Sequence, residues 1–328
     1  MVLDPAREGL PDGVAEITNG CRAVGECVAA WEPELVVLLT PHGLSASKSP
    51  RPGIYMTPSA TGTAEWKDQY KEYEMSIRID VEAAQNFLHH LGTYGVACVK
   101  ITGTEAPLFR SEIVPLWFLR TLATLRRPPK FLIVSLPTPV GGTSVIRSAV
   151  SKDRIEDNLQ FGQHLHRFLQ YNHQKVAVVL SGDLAHTHAT NCTSELYLPD
   201  PTWKLPVSDA AAVFDAMVEK WAQTLNRDFL TKDAAALVAK AISCGFDGFV
   251  VLQGLMEREG TRNFESHIFA RHRPSYFGMM AAVFPVPKRS EHRKSLLGKR
   301  LSMPILSPFS ADRENSDAFE LFGRNRMS

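Results

Sequence analysis

The sequence predicts an α/β protein of three layers, an α/β sandwich around a central mixed, largely parallel sheet. Three observations carry this. The runs ELVVLLT, KFLIVSL and KVAVVL are short, continuously apolar and rich in Val and Leu, the pattern of strands buried on both faces. Segments with apolar residues at helical spacing lie between and after them. Strands alternating with helices are what a sheet covered on both faces requires.

The first predicted element is a helix. Over 13–31, Val14, Ile17, Cys21, Val24, Val28 and Trp31 fall on one helical face. The strand 34–40 is bounded by Pro33 and Pro41. Residues 43–66 are rich in Gly, Ser, Pro and Thr without a period, which predicts a long loop of the lid or binding type. MSIRI (75–79) alternates as a strand does. Asp80 is placed to cap a helix running to about Leu91 and ended by Gly92. A buried strand is expected at 95–101, a helix at 111–125 and a strand at 130–136. A loop is expected at 137–151, a helix at 156–171 and a central strand at 175–180. Residues 191–207 have no pattern. Helices are expected at about 208–224, 232–242 and 246–257, then strands at 266–271 and 275–284, the second interrupted by Gly278. Beyond Pro287 the stretch KRSEHRKSLLGKR holds six Lys or Arg against one Glu, and a Ser- and Pro-rich remainder completes the chain. The expected organisation is therefore one domain over 1–287 and a disordered tail over 288–328.

Composition narrows the function. The chain has 328 residues, 36 Lys plus Arg against 35 Asp plus Glu, and 44% hydrophobic residues. With a net charge of +1 there is no overall basic field to hold nucleic acid. The longest apolar runs are far too short to span a membrane. The start MVLDPAREGLPDG carries an early acid and no apolar core, so no secretory signal is expected. Five cysteines, widely spaced and odd in number, fit free thiols in a reducing, cytoplasmic setting.

Chemistry is expected where strands end, because open α/β sheets bind ligands beyond the carboxyl ends of their strands. LLTPHG places His42 just past one strand, and VVLSGDLAHTH places Asp183, His186 and His188 just past another. Imidazoles there suit metal ligation or proton transfer, and Asp183 is placed to orient a histidine. The plainer readings are a solvated loop histidine and a turn-capping aspartate. Lys48, Arg51 and Tyr55 in the long loop are candidates to meet an anionic substrate, with ordinary loop residues the favoured alternative. The histidines at 89, 90, 164 and 166 fall on helices and are expected to face solvent. His267 and His272 flank a strand.

LLTPHG, RSEIVPLWFL, VVLSGDLAHTH, CGFDGFVVLQGL and SYFGMMAAVF, in this order, resemble the class III extradiol dioxygenases. This is the superfamily of the protocatechuate 4,5-dioxygenase β-subunit (LigB), which also includes Memo-like proteins. The resemblance covers about residues 10 to 285. It implies O₂-dependent opening of a catechol-type ring at a non-haem Fe(II), held by two histidines and one carboxylate with an open face for substrate and O₂. It further implies His42 as a metal ligand and His186 as the acid/base on the catechol hydroxyl. Family members often form dimers, so a homodimer is allowed, although no stretch of the sequence marks an interface.

The chain departs from the family pattern at three places. No histidine precedes His42, where the family has a strand with a VPHPP-like motif; a truncated gene model and a genuine loss both account for this. Arg110 and Ser111 stand where the family has a His-Gly pair. Arg110, permanently charged, is a candidate anion or substrate contact, not a base. Ser243 stands where the family has its late carboxylate ligand, with Cys244 next to it, a candidate thiolate ligand or simply a small buried side chain. His188 is a further candidate to fill a vacancy beside the substrate. Two readings result: a working dioxygenase, or a catalytically degenerate homologue that serves as a binding or scaffold protein, as in the Memo branch. A zinc-dependent hydrolase is a third class that such residues allow. In the tail, KRLSMP resembles a basophilic kinase site at Ser302 and a phospho-dependent docking point, against the plainer reading of a solvated basic run.

Overall fold

The structure is a computed structural model. It describes residues 3, 10, 12–41, 43–44, 50–64, 72–137, 151–172, 175–186, 208–274 and 277–287. All of them belong to the unit Met1–Pro287.

The central sheet forms around β1 (Leu35–Thr40), whose six residues are all buried. β1 lies between β7 (Lys130–Ser135) and β8 (Val176–Leu180) and runs parallel to both. On the far side of β7 come β2 (Gly53–Tyr55), antiparallel to it, and β5 (Val99–Ile101), parallel to β2. The five strands stand in the order β5-β2-β7-β1-β8. This is the mixed, largely parallel sheet that the apolar runs predict, except that β8, expected as a central strand, lies at its edge and is only partly buried.

Two-residue periodicity splits each central strand between two cores. Leu35, Val37, Leu39, Leu132, Val134 and Ile54 face one side, and Val36, Leu38, Phe131, Ile133 and Tyr55 the other. The first core is covered by α2 (Val81–Thr93), α4 (Lys152–Asn172), α5 (Asp209–Thr224) and α7 (Phe246–Glu259), through residues such as Phe87, Phe168, Trp221 and Phe249. The second is covered by α3 (Arg110–Phe118) and by a small sheet of β3 (Ser59–Thr63), β4 (Glu74–Arg78) and β6 (Ala106–Pro107). The result is three layers, and each fully buried Val or Leu of β1 contributes roughly 1.5–3 kcal/mol by leaving water. α1 (Val14–Trp31) packs on an antiparallel pair, β9 (His267–His272) and β10 (Met279–Val283).

Several expectations are corrected. The 43–66 loop contains β2 and β3, because GIY pairs with both β7 and β5 and SATGT pairs with β4 and β6. Tyr55 is therefore fully buried and not a loop residue awaiting substrate. Asp80 caps α2 as expected, its side chain accepting the Ala83 N–H (3.1 Å), but Gly92 lies inside the helix, which ends at Thr93. The 232–242 helix is broken into a π turn (Phe229–Ala234), a 3₁₀ turn (Ala235–Leu237) and α6 (Val238–Ala241). Trp31 does not join the buried face of α1; it is 40% exposed, with the Lys175 ammonium 5.9 Å from its ring. Most of the 137–151 loop and all of 288–328 lie outside the described residues.

α4 and α7 meet at glycines. A Cβ on Gly162 would run into the Val251 carbonyl, and one on Gly254 into the Leu159 carbonyl. The pair is also joined by the buried Asp247, held by Arg154 and by Asn158 (3.0 Å). Burial pushes the Asp247 carboxyl up and the Arg154 guanidinium draws it back. Gly254→Ala should lower stability by about 1–3 kcal/mol through overpacking. Gly92→Ala, where nothing lies within 4 Å of the added carbon, should raise it by roughly 0.5–1 kcal/mol. Equilibrium denaturation of the two variants measures both.

Of the helical histidines, His89 is exposed as expected, but His90 of α2 and His164 of α4 are half-buried, with ring centroids 6.0 Å apart. Tyr94 stacks on His164 at 4.3 Å. Burial pushes both imidazoles below their ordinary pKa, and the Arg167 charge adds to the effect. The folded state thus favours neutral rings, so this contribution is complete above the unfolded value of 6.5 and is lost as pH falls below it. Denaturation midpoints should fall on acidification through that range, and less so in a His90→Gln/His164→Gln variant.

Candidate metal centre

β1, β7 and β8 end at one level. Thr40 is in register with Ser135, Leu39 with Leu180, and the Ser181 N–H donates to the Leu39 carbonyl at 2.9 Å. The chain leaving β8 must therefore emerge at the carboxyl edge of the sheet. There Asp183, His186 and Cys244 come together. His186 Nε2 lies 3.1 Å from Asp183 Oδ2 and 3.6 Å from Cys244 Sγ. One donor atom from each of the three falls within 4.8 Å of the others. His186 is 8% exposed and Cys244 5%, whereas the Asp183 side chain is 39% exposed and opens the group to solvent. Phe277 sets its ring edge-on to His186, centroids 4.8 Å apart.

Cys244 reaches this place because α6 ends in a left-handed residue, Ile242 (φ 54°), and α7 begins at Phe246. The short connection between them folds under the turn after β8. Ser243 Oγ donates to the Asp183 carbonyl (3.1 Å), the Gly245 N–H donates to the same oxygen (3.2 Å), and the Asp183 N–H donates to Cys244 Sγ (3.2 Å). The other described cysteines are elsewhere. Burial pushes the Cys21 and Cys98 thiols up to about 11, away from thiolate chemistry.

A second polar group supports the end of β1. Tyr55 Oη donates to Glu112 Oε1 (2.7 Å) and accepts the Leu44 N–H (3.0 Å). Glu112 is fully buried and its other oxygen accepts the Phe109 N–H at 2.6 Å, at the start of α3. The Tyr55 hydroxyl is pushed far above its ordinary pKa by burial and by the Glu112 charge. Leu44 is two residues past His42, so this pair anchors the chain leaving β1. Ser181 Oγ donates to the Ser111 carbonyl (2.6 Å), which ties the first turn of α3 to the end of β8. Arg110 is exposed at that turn, on the rim of the strand ends.

Of the residues singled out in the sequence, Asp183, His186 and Cys244 meet, and Arg110 stands on the same edge. His42, His188 and Ser302 lie outside the described residues. His272 does not reach the group; it pairs with Glu16 (3.1 Å), and His267 with Glu265 (3.5 Å). The supporting roles of Tyr55 and Glu112 are not apparent in the sequence. An acid in an apolar helical stretch, as in RSEIVPLWF, is the one available signal for Glu112.

The fold is an α/β sandwich with a group that could hold a metal ion at the carboxyl edge of its sheet, and the comparison with protein families agrees with that fold. The family described as the catalytic LigB subunit of aromatic ring-opening dioxygenase matches residues 6–284. The chain belongs to that family. A search of curated proteins gave no match. No helix among the described residues is long and apolar enough to cross a membrane.

Tyr55→Phe should cost about 1–3 kcal/mol, because it removes one donor from the buried Glu112 carboxylate and the hydroxyl that accepts the Leu44 amide. Urea unfolding of the variant, with Tyr73→Phe as the control, measures this.

Proposed function

We propose that the protein is a metal-dependent oxygenase of the LigB type that opens a catechol-type ring with O₂ at a non-haem Fe(II). The observation that carries this reading is the convergence of a carboxylate, an imidazole and a thiol at the carboxyl edge of a parallel sheet, with donor atoms within 4.8 Å of one another. That spacing suits one divalent ion, since ligand distances of about 2.0–2.3 Å put neighbouring donors roughly 3–4 Å apart. Asp183, His186 and Cys244 would hold the ion, with His42 from the end of β1 as a fourth donor. Bound Fe(II) supplies the one-electron chemistry that a closed-shell ring needs to react with O₂.

The chain's own residues divide the remaining work. Asp183, the exposed member of the three, leaves the entrance on its side. The Phe277 ring packs against the nearly buried His186. Arg110 at the rim meets an anionic group of the substrate as a fixed positive charge. As a ligand His186 cannot also carry protons through Nε2, so this assignment replaces the acid/base role that the family resemblance implies for it.

A second reading is favoured by the donor set itself. A soft thiolate in place of a second histidine suits zinc as well as iron, and a degenerate homologue would keep the metal for structure and act as a binding or scaffold protein. Anaerobic Fe(II) loading, then oxygen uptake on a catechol panel, separates these. Near-stoichiometric iron with oxygen uptake is expected for the wild type. Cys244→Ser and His186→Ala should each bind iron at least about 10-fold more weakly. Iron retained in His186→Ala with slowed turnover would return that residue to the acid/base role. Metal bound without oxygen uptake would favour the scaffold reading, and no metal bound would overturn the centre.

A further inference from the structure

We infer that Asp215 is a positioning residue for the proposed centre, fixing the Asp183–His186 turn through the amide of Ala185. The inference rests on the metal-centre reading above and adds to it a residue from α5, an element that gives the centre no ligand.

The turn's four successive N–H groups all point into the protein, and each donates to a different element. Asp183 donates to Cys244 Sγ (3.2 Å) and Leu184 to the Gly278 carbonyl (2.9 Å). Ala185 donates to Asp215 Oδ1 (3.0 Å) and His186 to the Ala241 carbonyl (2.8 Å). The Gly278 N–H returns to the Ala185 carbonyl at 3.0 Å. With its amides spoken for, the turn has one orientation, and the side chains of Asp183 and His186 take theirs from it. Two of the four acceptors are backbone carbonyls, and a third is the thiol of the centre. Asp215 is the one acceptor supplied by a side chain from outside the centre.

Asp215 is itself built in. It is 1% exposed, and its Oδ2 pairs with Arg273, whose guanidinium also donates to the Ala211 carbonyl (3.2 Å) one turn earlier on α5. A Cβ on Gly278 would run into Oδ2. Glycine at that position is what lets the chain entering β10, the Asp215 carboxylate and the Ala185 amide meet at one point. A buried ion pair is a weak source of net stability compared with apolar packing. The stronger consequence of a carboxylate here is geometric: it supplies an acceptor that an apolar side chain lacks.

The test uses the full chain with Co(II) as the metal probe, read by its thiolate charge-transfer absorption, together with amide hydrogen exchange of residues 183–186. Asp215→Ala should weaken Co(II) binding about 10- to 100-fold, as loss of a ligand's outer support does, and should speed exchange at Ala185. Asp215→Asn combined with Arg273→Met keeps an Oδ1 acceptor without setting the amide NH2 against the guanidinium, and should restore both. Because Asp215→Ala leaves the Arg273 guanidinium without its partner, the double variant Asp215→Leu/Arg273→Met removes both charges together and serves where the single variant does not fold. It should behave as Asp215→Ala does. A fall in melting temperature with Co(II) affinity and Ala185 exchange unchanged would mean a structural role only, and would overturn the inference. If wild-type protein takes up no Co(II), the metal-centre reading fails. Exchange at Ala185 then decides alone: faster in Asp215→Ala and restored in Asp215→Asn/Arg273→Met sustains the positioning role, and equal rates in these and the wild type overturn it.

Discussion

A parallel strand with water on neither face has to be covered above, below and along both edges, and β1 meets all four demands at once. Val36 and Leu38 enter one core while Leu35, Val37 and Leu39 enter the other, and β7 and β8 pair with it on either side. Because the three strands run the same way and end at the same level, every segment that leaves them emerges at one edge. The position of the site is a consequence of that constraint. Polar residues cannot continue into the cores, so they gather where the apolar runs stop, and the chain after β8 turns back under itself within four residues.

That turn explains how exposed chemistry is held still. A loop would ordinarily satisfy its amides with water and move. Here the backbone from Asp183 to His186 is bonded to the end of α6, to Cys244 in the connection after it, to α5 and to the residue entering β10. The imidazole and thiol are almost buried and the carboxylate is open, which gives the group one accessible side. The Tyr55–Glu112 pair does the same for the chain leaving β1, at the cost of burying a carboxylate, which accepts from the Tyr55 hydroxyl and the Phe109 amide. Polar groups with this little solvent tolerate no loss of a partner.

The donor set sets this chain apart within its family's expected chemistry. A thiol, Cys244, stands next to Ser243, which takes the place where the sequence resemblance puts a carboxylate ligand, and a carboxylate, Asp183, joins the group from the turn after β8. The charge a divalent ion would meet is still supplied by one carboxylate, with a thiolate as a second anionic donor. A softer, more anionic set shifts preference among metals.

What the sequence by itself determined is the layer architecture and the edge where chemistry gathers. LVVLLT is buried throughout and KFLIVS is buried apart from Lys130, while VAVVL, at the edge of the sheet, is partly buried; all three were legible as strands because a short unbroken apolar run fits a strand covered on both faces. The helices α1, α2, α5 and α7 were legible from periodicity, and Asp183 and His186 from their place after a strand. Tertiary structure alone decided the rest. β2 and β3 are too short and too rich in Gly, Ser and Thr to show a strand pattern, and become strands only because β7, β4 and β6 offer them partners. Cys244 meets His186 across a sequence separation of 58 residues, and Asp215 meets Ala185 across 30. Local preference carries no information about such pairs: they are set by where α5 and α7 dock on the sheet, and docking depends on the summed packing of whole faces and not on any one residue's neighbours in the chain.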